Sequence, residues 1–170
     1  MTSGLRRLFA SAAIAAGLLL APGPTMAVET KPAPDVAVHD AHGATVRLGA
    51  YKGHVLLVDF WASWCPPCEA AFPALDALSH EFEPRGVVVL AVNVDEQRRD
   101  ADAFLNAHPP HTMTVLFDPK GAAPLAFGVR GMPTSFVIDR AGAVRFTHTG
   151  YTGNVADQYR DEISRLLAER

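Results

Sequence analysis

The order of apolar and polar positions along the chain predicts an alternation of buried strands and amphipathic helices. Two apolar runs, "HVLLVDFWA" and "GVVVLAVNVD", have the length of buried strands, and three shorter runs follow at "TVLFD", "TSFVID" and "VRFTHTG". Their enrichment in β-branched and aromatic residues favours strands over helices. Nearer the N-terminus, "VAVHDAHGATVRL" predicts two short strands around a turn at His42 and Gly43.

Helical periodicity appears between these runs. After the first long run, apolar residues recur at intervals of three and four, which predicts a helix from Cys65 to about Glu83, kinked at Pro73. A short helical segment is expected around "AAPLAFG". In "RRDADAFLNAH", a helix is predicted with one apolar face formed by Ala103, Phe104 and Ala107. The last helix is predicted from a stripe of apolar residues, Val155, Tyr159, Ile163, Leu166 and Leu167.

Strands that alternate with helices predict an α/β sandwich with a central mixed sheet flanked by helices. Antiparallel pairing is expected where the only connection is the turn at Ala141 and Gly142. The chain has 170 residues, of which 49% are hydrophobic, which is enough for one domain of ordinary size. We place this domain at residues 36–170, after a short proline-punctuated linker at residues 28–35.

Residues 1–27 have the pattern of a secretory signal peptide. Arg6 and Arg7 precede an apolar run from Leu8 to Ala21, and small residues end the segment at Ala27. The apolar run is about 14 residues long, shorter than the roughly 20 that a membrane-spanning helix needs. Cleavage after Ala27 is therefore predicted, with a periplasmic or otherwise exported product. Contact with the membrane is expected only if this segment stays uncleaved.

The charge balance argues against nucleic acid as a partner. The chain has 15 Lys and Arg against 18 Asp and Glu, for a formal net charge of −3. Without Arg6 and Arg7 the balance becomes more acidic, and no basic stripe stands out elsewhere. Nucleic-acid binding is therefore not expected.

The chain has two cysteines, Cys65 and Cys68, within the stretch "DFWASWCPPCEAAFP". A structural disulfide across so short a loop removes little entropy from the unfolded chain. A structural zinc site needs four ligands, and no second CxxC or HxxxH accompanies the pair. A CxxC that follows a strand and opens a helix is typical of redox chemistry, which is the favoured interpretation.

The segments "VDFWASWCPPC", with a proline five residues beyond Cys68, and "GVRGMPTSFVIDRAG" resemble the thioredoxin superfamily, and more narrowly the exported TlpA/ResA-type thiol-disulfide oxidoreductases. The resemblance runs from about Val36 to the end of the chain. It implies a thioredoxin-like sandwich with an N-terminal strand pair and an extra strand-helix insertion at residues 87–108. It also implies that Cys65 is the attacking thiol, that Cys68 is the resolving thiol, and that the two form a redox-active disulfide beside a cis Pro133.

The same resemblance implies the partners of the reaction. They are exported proteins that carry disulfides, with a membrane-embedded thiol donor as the reductant and no cofactor besides the cysteine pair. The substrate class is left open between apocytochromes, as in cytochrome c biogenesis, copper-site proteins and others. Three neighbours of the pair, Trp64, Pro66 and Met132, together with Thr134, are expected to contact the substrate.

Cys65 is suited to attack because it lies at the start of a helix, where unpaired N–H groups and the helix dipole stabilise a thiolate. Asp59 stands alone in an apolar strand, where a carboxylate is costly to bury. We interpret it as a buried acid with a raised pKa that takes a proton from Cys68. Many TlpA/ResA-type chains instead have asparagine there and a glutamate where this chain has Ala71. The alternative is a solvent-exposed aspartate at the end of the strand.

Two other functions remain open from the residues alone. A CxxC pair spans a wide range of potentials, so an exported disulfide oxidase or isomerase is the first alternative. The second is a Cu(I)-binding module for metalloprotein maturation, in which Met132 joins the two thiols. No metal site is predicted from the histidines, five of which are expected at the surface: His39, His42, His54, His80 and His148.

Overall fold

A computed structural model describes residues 31–169 of the chain. The predicted signal peptide at residues 1–27 and the first part of the predicted linker lie outside the described residues. Within residues 31–169, no helix has the length and apolar character needed to cross a membrane.

The strands of the described region join in one mixed sheet, in the order β1-β8-β7-β4-β5-β6-β2-β3. Strands β4, β5 and β6 pair in parallel, and the remaining pairs are antiparallel. This confirms the predicted α/β class. The strands are β1 (Lys31–Pro32), β2 (Ala37–His39), β3 (Thr45–Arg47), β4 (Val55–Trp61), β5 (Val87–Asn93), β6 (Thr114–Phe117), β7 (Thr134–Ile138) and β8 (Ala143–Thr149).

Helices occupy the segments in which the periodicity predicted them. Pro73 lies inside the first helix, which is a single helix along its whole length. In the second helix the buried residues are Ala101 and Phe104, so the prediction that Ala103 and Ala107 belong to the buried face was wrong, since both are exposed. The helices are α1 (Pro66–Phe82), α2 (Arg98–Ala107), α3 (Ala122–Phe127) and α4 (Val155–Ala168).

Alternation along β4 divides the core between the two faces of the sheet. Leu57 and Trp61 pack in one hydrophobic cluster with buried residues of α1, α2 and α4, and this cluster contains both cysteines. Val58 and Phe60 point the opposite way, into a second cluster that includes Ala123 of α3. Because side chains alternate across a strand, every odd-numbered residue of β4 faces α1 and α4. We call this side the α1 face.

The sheet reaches further toward the N-terminus than predicted. Lys31 and Pro32 pair with Val144 and Ala143, so part of the predicted linker is an edge strand beside β8. The predicted turn between β7 and β8 is present, with Gly142 at a φ of 84°. That left-handed conformation is readily accessible to glycine and rarely adopted by other residues.

Candidate active site

The two cysteines lie where β4 gives way to α1. Cys65 is the N-cap of α1, and Cys68 is in its first turn. They form a disulfide, with 5.3 Å between their Cα atoms. The backbone N–H of Cys68 donates to Cys65 Sγ at 3.3 Å. Pro66 and Pro67 occupy the first two helical positions and have no N–H, so the donor nearest the helix start is that of Cys68.

A buried carboxylate holds the loop that precedes Cys65. Asp95, just beyond the end of β5, accepts the backbone N–H of Ser63 with both oxygens, at 3.2 and 3.0 Å. The side-chain amide of Asn93 donates to the same carboxylate at 2.8 Å, and the N–H of Asp95 donates back to Asn93 Oδ1. Sequence reasoning missed this clamp. The signal in the sequence was an acid two residues after a buried strand, at the end of the sheet where β4 also ends.

The segment before β7 completes the other side of the site. The Met132–Pro133 peptide bond is cis, as the resemblance implied. Met132 is partly buried and packs against the cluster that contains the cysteines. Thr134 differs from its predicted role as a substrate contact, since it is 3% exposed and its hydroxyl donates to the carbonyl of Gly131 at 2.7 Å. Its side chain therefore serves the loop rather than a partner.

The two tryptophans have opposite environments. Trp61 is fully buried and packs against Phe72 and Phe104, with ring centroids 5.0 and 4.7 Å away. Trp64, adjacent to Cys65, is 69% exposed. Pro66 is also exposed. The disulfide is thus bordered by an exposed apolar surface formed by Trp64 and Pro66, in the place where a substrate contact was predicted.

Asp59 is buried within the sheet, which excludes the alternative of a solvent-exposed aspartate. The residue is 2% exposed and lies on the α1 face between Leu57 and Trp61. Burial raises the pKa of Asp59 to about 7, although the hydrogen bond from Ser135 lowers it. Ser135 Oγ donates to Asp59 Oδ1 at 2.5 Å, and Oδ2 has no hydrogen-bond partner among the described residues.

Two further polar residues, Tyr159 and His148, lie beyond Ser135, and neither was predicted to belong to the site. Tyr159 of α4 lies 2.7 Å from Ser135 Oγ through its hydroxyl. The ring of His148 packs edge-on against Tyr159 and hydrogen-bonds Glu162 at 2.8 Å. The side chain of His148 is only 16% exposed, so the prediction that it lies at the surface was wrong, because α4 covers it. The other four histidines predicted at the surface are exposed.

The structure therefore brings together most of the predicted site: the cysteine pair, the exposed Trp64 and the cis Pro133 segment, with Asp59 on the same face of the sheet. Within residues 31–169, no group of three or more His, Cys, Asp or Glu side chains is arranged to hold a metal ion. The chemistry that the arrangement supports is thiol-disulfide exchange, because it has a sulfur at a helix start, a second sulfur one turn away and a buried acid.

Known proteins are similar to this chain in sequence. A family profile for redoxins matches residues 28–161. The thiol-disulfide oxidoreductase ResA of Geobacillus thermodenitrificans is 35% identical over 118 residues, which are 69% of this chain and 67% of that protein. The thiol:disulfide interchange protein DsbE of Vibrio cholerae is 37% identical over 100 residues, which are 59% of this chain and 52% of that protein.

Solved structures share the fold. A crystal structure from Chlorobium tepidum, described as a thiol:disulfide interchange protein DsbE, has a TM-score of 0.78 and 40% identity, covering 82% of this chain and 97% of that one. The exposed lipoprotein thioredoxin of Streptococcus pneumoniae has a TM-score of 0.68 and 30% identity, covering 78% and 100%. Fold and site thus define a thioredoxin-like thiol-disulfide oxidoreductase. The chain belongs to the redoxin family and is of the TlpA/ResA type.

Proposed function

We propose that this protein is an exported reductant of disulfides in other exported proteins, and that a membrane-embedded thiol donor returns it to the dithiol form. The observation that carries the direction is the environment of Cys65 Sγ. Among the described residues it accepts one hydrogen bond, from the N–H of Cys68. Fewer donors stabilise the thiolate less, and a reduced form that is less stabilised makes a stronger reductant.

The reaction starts at Cys65. In the reduced protein, the Cys65 thiolate attacks one sulfur of the substrate disulfide, so that a Cys65–substrate disulfide forms and the second substrate sulfur leaves as a thiolate. The exposed Trp64 provides the apolar surface on which the substrate rests during this step. Cys65 is the attacking residue because it is the one at the helix start, 5% exposed against 1% for Cys68.

Cys68 then completes the transfer. Its thiol passes a proton to the Asp59 carboxylate, and the resulting thiolate attacks Cys65 Sγ. The Cys65–Cys68 disulfide forms, the mixed disulfide breaks, and the substrate sulfur that was bonded to Cys65 leaves and is protonated. Two electrons have moved from the protein to the substrate. Burial raises the pKa of Asp59 to about 7, which suits it to accept and release a proton near neutral pH.

Export is supported by the N-terminal sequence and by the kind of substrate proposed. Residues 1–27 carry the basic, apolar and small-residue segments of a signal peptide. A disulfide substrate also requires a compartment in which disulfides persist, and these are oxidising compartments outside the cytosol. The thiol donor is placed at the membrane because a reductant that works in an oxidising compartment must receive electrons from another one.

The equilibrium of the Cys65–Cys68 pair with glutathione tests the direction. We expect a potential well below that of glutathione-poised oxidising compartments, which lie at about −180 to −210 mV. A potential above about −150 mV assigns the protein instead to disulfide formation or isomerisation. The Cys68→Ser variant checks the order of steps, since it should accumulate mixed disulfides through Cys65. The matched Cys65→Ser variant should accumulate none, and trapping through Cys68 would reverse the two roles.

A further inference from the structure

Behind Asp59 lie two hydrogen-bonded hydroxyl groups, those of Ser135 and Tyr159, which take no part in the exchange of sulfurs. We call them the hydroxyl pair. Ser135 is the cross-strand neighbour of Asp59 in the pairing of β4 with β7. Tyr159 reaches Ser135 from α4, and the two residues are 1% and 2% exposed. The distances are 2.5 Å from Ser135 Oγ to Asp59 Oδ1 and 2.7 Å from Ser135 Oγ to the Tyr159 hydroxyl.

The hydrogen bonds of the hydroxyl pair have a defined direction when Asp59 is ionised. A serine hydroxyl has one hydrogen, and Ser135 donates it to Asp59 Oδ1. Tyr159 must then be the donor to Ser135 Oγ. Burial raises the pKa of Tyr159, so its hydrogen is present throughout the physiological range. Both hydroxyls therefore point their hydrogens toward the carboxylate, and neighbouring bonds of this kind strengthen each other.

The two carboxylate oxygens are consequently unequal. Oδ1 receives the serine hydrogen, whereas Oδ2 is buried with no partner among the described residues. A hydrogen bond to one oxygen stabilises negative charge there and makes that oxygen the poorer proton acceptor. Oδ2 is left as the more basic atom, on the sheet face toward which α1 and its cysteines pack.

We propose that Ser135 and Tyr159 are positioning residues that hold Asp59 by Oδ1 and reserve Oδ2 for the proton of Cys68. This inference rests on the proposed function. In the step that it describes, the proton leaves Cys68 Sγ and binds Oδ2, and the negative charge moves from the carboxylate to the sulfur. The hydroxyl pair also limits how far burial can stabilise the neutral acid, so that Asp59 remains able to ionise.

Among residues 31–169, few other titratable groups lie around the hydroxyl pair. Glu162 of α4 and Tyr151 lie near Tyr159, and both act to raise the pKa of Tyr159 along with Asp59 itself. His148 of β8 packs on the Tyr159 ring and is paired with Glu162. On β5 the neighbour of Asp59 is Ala91, which does not titrate. On α1 the cysteines are joined in the oxidised protein and do not titrate there.

The oxidised protein gives a test free of thiol titration. The carboxyl carbon of Asp59 is followed by NMR as a function of pH, with Asp59→Asn to assign its signal. In Ser135→Ala, loss of the donor at Oδ1 should shift the titration midpoint upward, by about one pH unit. In Tyr159→Phe, a smaller upward shift is expected because Ser135 still donates. Ser135→Thr keeps a hydroxyl and should restore a midpoint close to that of the unaltered protein.

Ser79→Ala is the matched control, since Ser79 is a buried serine of α1 that makes no hydrogen bond to Asp59 or to the hydroxyl pair. It should leave the midpoint in place. In reduced Ser135→Ala, resolution of a mixed disulfide at pH 7 should be slower and recover at higher pH. The inference is overturned if the titration midpoint of Asp59 stays unchanged or falls in both Ser135→Ala and Tyr159→Phe. If Ser135→Ala does not fold, the midpoint in Tyr159→Phe decides alone. Resolution at full speed by Asp59→Asn overturns the role of Asp59 itself.

Discussion

Asp95 binds the backbone N–H of Ser63 with both carboxylate oxygens, and so the end of β5 fixes the loop that delivers Cys65 to α1. Asp95 is 5% exposed and also binds the Asn93 amide. A buried carboxylate of this kind is stable because its oxygens are hydrogen-bonded, and the donors in turn depend on it. The position of the attacking sulfur is therefore set from a neighbouring strand as well as by its own helix.

Asp95→Ala should leave the Ser63 N–H and the Asn93 amide without their acceptor. We expect the free energy of unfolding to fall by about 2 kcal/mol and the reaction of Cys65 with a protein disulfide to slow. Urea denaturation and stopped-flow exchange measure the two effects. Asp102→Ala is the control, because its ion pair with Arg98 is half-exposed and should contribute less than about 0.5 kcal/mol. Equal losses of stability in the two variants would show that Asp95 does not hold the loop before Cys65.

Local pattern was sufficient for the elements and for part of the site. A continuous apolar run predicted β4, helical periodicity predicted α4, and a single acid in an apolar strand predicted the burial of Asp59. Contacts between distant segments were not accessible in this way. Ser135 meets Asp59 across 76 positions of sequence, and this requires the register of β4 with β7. His148 was misplaced for the same reason, since its burial depends on the docking of α4 over β8.

Asp59 should make the protein less stable as pH rises from about 4 to about 7. Its folded-state pKa is raised to about 7, so the folded protein holds a proton that the unfolded chain releases near 4. The stability that the neutral acid contributes to the fold is complete below the pKa of the unfolded state. It is lost as pH rises through the pKa of the folded state. Asp59→Asn removes this dependence and should be more stable at pH 8 by about 4 kcal/mol.

Urea denaturation of the oxidised protein at pH 4.5 and at pH 8 measures this difference. The same variant should resolve mixed disulfides more slowly, since the amide that replaces the carboxylate cannot accept the proton of Cys68. A gain in stability together with a loss of rate is the combination expected of a functional residue that is retained at a cost to stability. No gain at pH 8 would show that the buried carboxylate has found stabilisation elsewhere.

Asp76 should have the opposite pH dependence. Although burial raises its pKa, the backbone N–H groups of Thr112, Met113 and His111 and the His111 ring together lower it to about 2. The folded state therefore favours the carboxylate, and this stability is present above the unfolded pKa and lost as pH falls through about 2. Asp76→Asn should cost about 2 kcal/mol at pH 7. The loss should shrink in acid, and a constant loss between pH 7 and pH 2.5 would contradict the assignment.

Trp64 should matter for protein substrates and not for small ones. It is 69% exposed beside Cys65, so its removal changes the surface on which a polypeptide rests while leaving the sulfur itself in place. Trp64→Ala should slow exchange with a protein disulfide by about tenfold or more and leave exchange with oxidised glutathione nearly unchanged. Leu125→Ala is the matched control, because Leu125 of α3 is the other large apolar side chain exposed in residues 31–169, at 80%. Similar losses in both variants would contradict a docking role.

The two prolines between the cysteines should differ in their effect on the redox potential. An N-cap side chain accepts hydrogen bonds from the second and third helical N–H groups, and here Cys68 supplies the third. Pro67 occupies the second position and Pro66 the first. Pro67→Ala therefore adds a donor aimed at Cys65 Sγ, whereas Pro66→Ala adds an N–H that is not directed at the sulfur.

The added donor stabilises the Cys65 thiolate and with it the reduced protein. Pro67→Ala should therefore raise the potential by about 30 mV or more, which makes the protein a weaker reductant, and should increase the fraction of thiolate at pH 7. Equilibration with glutathione measures the potential, and ultraviolet absorbance of the thiolate measures its fraction as pH is varied. Pro66→Ala should change neither quantity. A lower potential in Pro67→Ala would mean that proline limits the reducing power of this site, contrary to the direction proposed from its hydrogen bonds.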